Sequence, residues 1–428
     1  MKHLVLIGGG HSHAIVLKMF GIKPLPGVRL TLISDVLYAP YSGMLPGHVA
    51  GFYDYDECHI DLRSLAEFAG CQILVDRAIA IDFSKNLVIC QTCPPVNFDL
   101  LSIDIGSTPA TLSVPGAAEY AIPAKPVPEF LASWNQLISA RQNPPQKSLR
   151  IAIVGGGAGG VELALNMQSR LAKEKERRKM EVGRKKKEEG RREIEVGAEI
   201  HLFHSGAELM SGHNQRVCRR LQKIIISRGI QLHLMEKVSA IKKQETIEIK
   251  GNKKLPVPDA QCPISNPQSP IPNAQICCES GLKVECEIIF WVTQASAANW
   301  IKESGLATDS KGFMQVNDCL QSVSHRNVFG AGDICAMVNY PRPKAGVFAV
   351  RQGKPLFENL QHFLLQKPLK PFAPQEKYLA LIGTGNKRAI ASRGSFMWES
   401  ALLWYWKDWI DRQFMKKFSN LPKTRNTK

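Results

Sequence analysis

Four apolar residues, Leu4 to Ile7, run straight into Gly8-Gly9-Gly10 and a segment that opens His11-Ser12-His13. An apolar run of that length stopping at glycines predicts a buried strand, a tight turn and then a helix. The pattern returns in RLTLIS (29–34), a second strand after that helix. CQILVDRAIAIDFSKNLVIC (71–90) predicts two short strands joined at FSKN. FDLLSIDIGSTP (98–109) is a further apolar strand closing on Gly106-Ser107. A second strand, glycine turn and helix follow in LRIAIVGGGAGGVELALNM (149–167). AEIHLFH (198–204) and GIQLHL (229–234) read as strands on either side of a helix near 214–227. Apolar strands alternating with helices predict an α/β fold of two Rossmann-like dinucleotide-binding domains.

Three segments break the pattern. AIPAKPVPE, from residue 121, is a proline-rich crossing that reads as a linker. Residues 173–197 are charged and carry the near-repeat RRKMEVG/RREIEVG, an insertion that either lengthens a helix into solvent or stays unstructured. PVPDAQCPISNPQSPIPNAQ (256–275), within a second insertion near 252–280, has too much proline for a helix or an interior strand.

Charge and cysteine narrow the classes. The 428 residues carry a formal net charge of +17, but residues 173–193 and 407–428 each contribute +5. The excess is thus local, and no aromatic-interleaved motif accompanies it, so no nucleic-acid partner is expected. No apolar run reaches the ~18 residues of a membrane span. The amino terminus enters a strand without a signal segment. Eleven scattered cysteines argue for a reducing, cytoplasmic setting over a disulfide framework.

The chemistry lies in the glycine turns. Gly155-x-Gly157-x-x-Gly160 is a complete dinucleotide fingerprint between a strand and a helix. Its first glycine permits the turn, the second admits the pyrophosphate, and the third lets the helix sit close to the strand. The ribose-reading residue is expected about 20 residues further on. His204 stands 44 residues after Gly160, and removing the 25-residue charged segment 173–197 leaves 19. A histidine there lacks the charge that would repel a 2′-phosphate, so NADPH is admitted beside NADH. A surface histidine with no ligand is the alternative.

In the first turn Gly8 and Gly10 keep the phosphate-facing places, while His13 stands where the third glycine belongs. A packing role suits His13 better than a ligand role, and no further ligands accompany His11 and His13 to make a metal site. Ser34-Asp35 fall at the ribose interval for this turn. HRNVFGAGDICAM (325–337) ends an apolar strand in Gly330-Ala-Gly332-Asp333. Asp333 would accept a hydrogen bond from a flavin ribityl chain. The first turn therefore predicts an FAD site and the second an NAD(P)H site.

These three features in this order resemble the FAD-dependent pyridine nucleotide–disulfide oxidoreductase superfamily over nearly the whole chain. The disulfide reductases of that superfamily place a cysteine pair against the flavin. In residues 39–60 only Cys58 is present, and Cys90-Gln-Thr-Cys93 lies at the end of a small strand pair, where it reads as structural. Among the thiol-free branches the chain looks like the type II NADH:quinone oxidoreductases. HSH, YSGMLPG, PKAGVFAVRQGKPLFENL and RQFMKKF are similar to a flavoprotein unit sometimes fused ahead of selenide, water dikinase.

The resemblance implies hydride transfer from NAD(P)H through FAD to an external acceptor, a quinone or a selenium or sulfur compound. It also implies FAD contacts at His11, Gly106, Gly346 and Val347, and a positioning role for Glu162, the glutamate after the second motif. The AQxxxQ stretch of the type II enzymes is replaced here by Gly346, Val347 and Arg351. A non-enzymatic nucleotide-binding regulator is the rival reading, supported by the basic segments alone.

An FAD domain of 1–120 with 285–365, an NAD(P) domain of 121–284 inserted in it, and a carboxyl-terminal segment of 366–428 are expected. The stretch 395–418 predicts an amphipathic helix with Trp398, Leu402, Tyr405, Trp409 and Ile410 near one face. Aromatic residues with Lys407, Lys416 and Lys417 suit the cytoplasmic face of a membrane, bound peripherally. The alternative is a helix buried against its own domain or in a homodimer.

Overall fold

The computed structural model describes residues 1–109, 114–140, 149–189, 198–243, 274–293 and 295–421. The chain divides into two compact units, one of Met1–Thr108 with Gln294–Lys428, the other of Pro109–Thr293. The second is therefore inserted in the first.

The first unit is built on a parallel five-stranded sheet. Its spatial order is Val328–Gly330, Leu100–Ile103, Lys2–Ile7, Val28–Ser34, Cys71–Val75. Lys2–Ile7 is central, with Leu4 to Leu6 wholly buried, as a continuous apolar run in a two-faced parallel sheet must be. Helices His11–Ile22 and Gly346–Leu364 pack together closely enough that a Cβ on Gly353 would strike Ile15. The segment 71–90 differs from expectation. Cys71–Val75 joins the main sheet, and the hairpin is Ala78–Asp82 with Leu87–Cys90. Asp76 explains the break, its carboxylate accepting from the amides of Arg77, Thr92 and Cys93.

The second unit repeats the plan in the order Ile122–Pro123, Ile288–Trp291, Leu149–Val154, Ala198–His204, Gln231–Leu234. The expected linker thus holds a two-residue edge strand, where proline costs no interior ladder bond, and its end opens helix Val127–Ala140. Asn214 caps helix Gln215–Ser227 through its side chain. The charged segment continues the motif helix, which runs Ala158–Glu189, while 190–197 lie outside the described residues. Residues 244–273 also lie outside them. From Ala274 the expected insertion becomes a strand, Ala274–Cys278, because the prolines end and alternate side chains are buried.

The carboxyl-terminal part of the first unit is an antiparallel sheet, Ala380–Gly383, Ala389–Arg393 and Phe396–Ser400, followed by helix Ala401–Ser419. The helix starts later than predicted, with Ser400 as its side-chain cap. Trp398 is accordingly a strand residue paired with Ala391.

Candidate functional site

In the first unit, Gly8 lies at φ +91°, and Gly10 precedes helix His11–Ile22. The residue that governs this turn is one the motif does not include. Asp104 follows strand Leu100–Ile103 and is 2% exposed. Its backbone oxygen accepts from Gly10 N at 3.1 Å, and its Oδ2 accepts from Ser12 N at 2.9 Å and His13 N at 3.1 Å. A Cβ on Gly8 would overlap the Asp104 carbonyl, and one on Gly10 or Gly332 would overlap its carboxyl. Burial, offset in part by the two helix amides, pushes the Asp104 carboxyl up to about 7.

His13 has a packing geometry. It is wholly buried, with Nδ1 2.7 Å from Gly8 O and Nε2 2.8 Å from Ser102 Oγ. In the second unit the matching position is Gly160, where a Cβ would overlap Gly155 O. His13 thus hydrogen-bonds the carbonyl that Gly160 must stay bare to approach. Burial lowers its pKa to about 4, so the ring is neutral at physiological pH. His11 meets the rings of Tyr41 and Phe414 edge-on, with centroids at 5.3 and 6.2 Å.

At the end of the next strand, Ser34 Oγ donates to Val36 O at 2.8 Å and lies beside Gly9. Asp35 is exposed and pairs with Arg77 at 3.1 Å. Gly106, at φ +72°, opens to free space, and Ser107 Oγ donates to Asp333 Oδ2 at 3.4 Å. Gly332 N donates to Gln352 Oε1 at 2.7 Å. Gly346 and Val347 begin the helix Gly346–Leu364, with Gly346 against Ser42.

Asp333 and Gly332 line a cavity of about 470 Å³ with Lys344, Phe348 and Gln352 among the other walls. Lys344 Nζ donates to Cys335 O at 2.5 Å and stands 3.9 Å from the centre of the Phe313 ring. The sequence-predicted FAD residues are thus brought to the sheet's carboxyl-terminal edge and the helix ends beside it. A glycine turn at a helix start with a carboxylate at a cavity mouth fits a dinucleotide, while the amides of Gly10, Ser12 and His13 are given to Asp104.

In the second unit Gly155 is at φ +128°, its N donating to Phe203 O at 2.9 Å. Gly157 faces open space. His204 ends its strand with its ring against Gly156 and Nε2 3.0 Å from Glu208 O. The ribose candidate therefore lies on the glycine turn, as the spacing requires. Glu162 is half-buried in the motif helix, its carbonyl accepting from Asn166 Nδ2 at 2.7 Å. Where the first unit has Asp104, this unit has apolar Val292, whose carbonyl lies equally against Gly155.

Cys58 and Cys90 are not activated thiols. Burial pushes Cys58 up to about 12 and Cys90 up to about 11, so neither is a thiolate at neutral pH. Cys58, Cys90 and Cys93 are all free.

The carboxyl-terminal helix corrects the expectation for Lys407. Its Nζ donates to Gly43 O at 2.6 Å and pairs at 2.6 Å with Asp411, which also accepts from Tyr41 OH at 3.1 Å. Lys407 therefore ties the helix to its own unit and does not face lipid. Leu403, Trp404, Phe414, Met415 and Phe418 pack inward, while Leu402, Tyr405, Trp406 and Trp409 are between 46% and 69% exposed. Among the described residues no helix is long and apolar enough to cross a membrane.

Sequence reasoning missed Asp104, Lys344 and Gln352. Asp104 carried a signal, a lone acid inside the apolar run LLSIDIG.

Known proteins show the same plan. A pyridine nucleotide-disulphide oxidoreductase family model matches residues 2–353. The NADH dehydrogenase-like protein YutJ of Bacillus subtilis is 22% identical over 421 residues, covering 95% of this chain and 99% of its own. Ferroptosis suppressor protein 1 of Xenopus laevis is 25% identical over 308 residues, 70% of this chain, and the match spans 65% of that protein's length. The structure of NDH2 from Plasmodium falciparum in complex with NADH superposes with a TM-score of 0.75 at 14% identity, covering 97% of both chains. The chain belongs to the pyridine nucleotide-disulphide oxidoreductase family and is an NAD(P)H-dependent flavoprotein oxidoreductase with FAD as its cofactor.

Proposed function

We propose that this oxidoreductase passes electrons from NAD(P)H through FAD to a quinone, without a cysteine relay. The observation that carries the reading is the pairing of two glycine turns with unactivated thiols: Cys58 and Cys90 are held as thiols at neutral pH. The resemblance to type II NADH:quinone oxidoreductases supports the acceptor, and the NADH dehydrogenase-like relative supports the electron donor.

Bound FAD supplies the hydride-accepting and electron-donating chemistry; the protein supplies binding and orientation. Gly8, Gly10 and the start of helix His11–Ile22 hold the pyrophosphate, with Ser34 and Asp35 at the adenosine ribose and Asp333 at the ribityl chain. His11, Gly106, Gly332, Gly346 and Val347 complete that site, which Lys344 adjoins. Gly155, Gly157 and Gly160 hold the nicotinamide dinucleotide, His204 reads its ribose, and Glu162 positions the carboxamide end. Steady-state oxidation of NADH and NADPH against quinones, oxygen, ferricyanide, and selenium and sulfur compounds tests the reading. Quinone turnover at least tenfold above every other physiological acceptor is expected; reduction of ferricyanide alone would refute the acceptor.

The protein also reaches its acceptor at a membrane face. Leu402, Tyr405, Trp406 and Trp409 share one helix face, with Phe396 and Trp398 exposed on the adjoining strand. Aromatic rings at headgroup level with Lys416 and Lys417 nearby suit an anionic lipid surface. Co-sedimentation of the parent with anionic vesicles, and its loss in Trp406→Ser/Trp409→Ser, checks this. Equal pelleting of the variant would overturn it, and a dimer broken by the same change would assign the face to a second copy.

A further inference from the structure

We propose that Asp104 is the proton switch of the FAD site: its carboxyl takes up a proton when FAD binds and holds the glycine-turn helix through its neutral form. The proposal rests on the FAD reading of the first glycine turn.

The argument begins with the competition for one helix start. A helix offers a few amides without internal partners at its amino end, and these are the groups that bind a pyrophosphate. In helix His11–Ile22 the amides of Ser12 and His13 are already given to Asp104 Oδ2, and Gly10 N is given to the Asp104 carbonyl. In the second unit the equivalent residue is Val292, which has no carboxylate. An incoming pyrophosphate in the first unit therefore meets a buried carboxylate at the same positive helix end. Two anions there repel each other, and the solvent that would screen them is absent around a residue 2% exposed.

Among the described residues no cation pairs with the carboxyl. Its neighbours on the motif helix are two amides and the Ser12 hydroxyl, which it shares with Ala349 O, and the His13 ring is neutral and turned to Gly8 and Ser102. From the Gly330–Met337 segment it faces Gly332, with the Asp333 charge raising it, and its own charge helps keep the buried Cys335 thiol protonated. From helix Gly346–Leu364 the near residue is Ala349. Lys344 donates to the Cys335 carbonyl, and its charge acts on Cys335 and Asp333. Every charge the site gains is negative, so the proton-bound form is the one that admits FAD. One proton moves from solvent to the Asp104 carboxylate; no other bond changes.

The sign follows. Burial has brought the free protein's Asp104 to about 7, and the pyrophosphate raises it further. FAD should then bind with constant affinity below pH 7 and weaken by about tenfold per pH unit above it. The test is FAD affinity of the full-length apoprotein, by flavin fluorescence quenching from pH 5.5 to 8.5, for the parent and Asp104→Asn. The parent should show the slope. The variant, which keeps the shape and an amide but cannot charge, should be flat and bind FAD more tightly than the parent at pH 8.5. A flat parent, or the same slope in the variant, overturns the proposal.

If the variant does not fold, calorimetry of the parent at pH 8 in two buffers of different ionisation heat decides. Uptake of close to one proton per FAD supports Asp104, and no uptake overturns it. A parent that binds FAD at no pH would instead sink the FAD reading itself.

Discussion

Removing the Asp411 carboxylate should detach the carboxyl-terminal helix from its unit. Asp411 is 5% exposed and serves two partners, Lys407 at 2.6 Å and Tyr41 OH at 3.1 Å. In Asp411→Ala the Lys407 ammonium, with a side chain 16% exposed, keeps only Gly43 O. Breaking a buried ion pair from one side costs about 3–5 kcal/mol. The orphaned Tyr41 hydroxyl adds about 1–3 kcal/mol. The lysine stem is long enough to carry its charge to water, which returns part of that loss. We therefore expect about 3 kcal/mol, close to a 150-fold rise in the open population.

A two-unit chain does not promise a single unfolding transition, so the assay is native-state hydrogen exchange of amides 401–419. Lys407→Met/Asp411→Leu should restore more than half of the protection, because a buried pair can be exchanged for apolar contact. Exchange in Asp411→Ala within threefold of the parent would refute the clamp.

Further expectations concern the two sites and the buried histidine. Asp333→Ala should lose a charge-assisted hydrogen bond to FAD of roughly 1.5–3 kcal/mol, read as a ten- to hundredfold weaker Kd. His204→Glu should move the kcat/KM ratio towards NADH, and an unchanged ratio would take His204 out of the ribose site. Gly160→Ala should abolish NAD(P)H binding while leaving FAD bound, because its Cβ overlaps Gly155 O. His13 has a folded pKa lowered to about 4 from 6.5, so its stability is complete above pH 6.5 and lost as pH falls towards 4. The parent's advantage over His13→Asn in chemical denaturation should shrink by up to about 3 kcal/mol across that window.

The sheets were legible because each central strand is a continuous apolar run ended by glycine, a pattern that two-faced burial imposes. The turns were legible for the same reason, and His204 fell on Gly156 once the charged segment was set aside. Asp104 was not, since the glycines read as bare for a ligand are bare at least in part for its carboxyl. Only the fold brings strand Leu100–Ile103 under a turn nearly 100 residues earlier. Lys407 misled for a related reason. Its place on a helix beside tryptophans predicts a lipid contact, but its partner Gly43 lies at the far end of the chain. The start of that helix was misread because Phe396–Ser400 is as aromatic as the helix it precedes, and only pairing with Ala389–Arg393 makes it a strand.

The most direct test of flavin-mediated transfer without a thiol relay is anaerobic stopped-flow on Cys58→Ser/Cys90→Ser/Cys93→Ser. Flavin bleaching on mixing with NADH or NADPH, followed by recovery on adding a soluble ubiquinone, should proceed within threefold of the parent in both phases. Bleaching at the parent rate with no recovery in the variant would contradict the account.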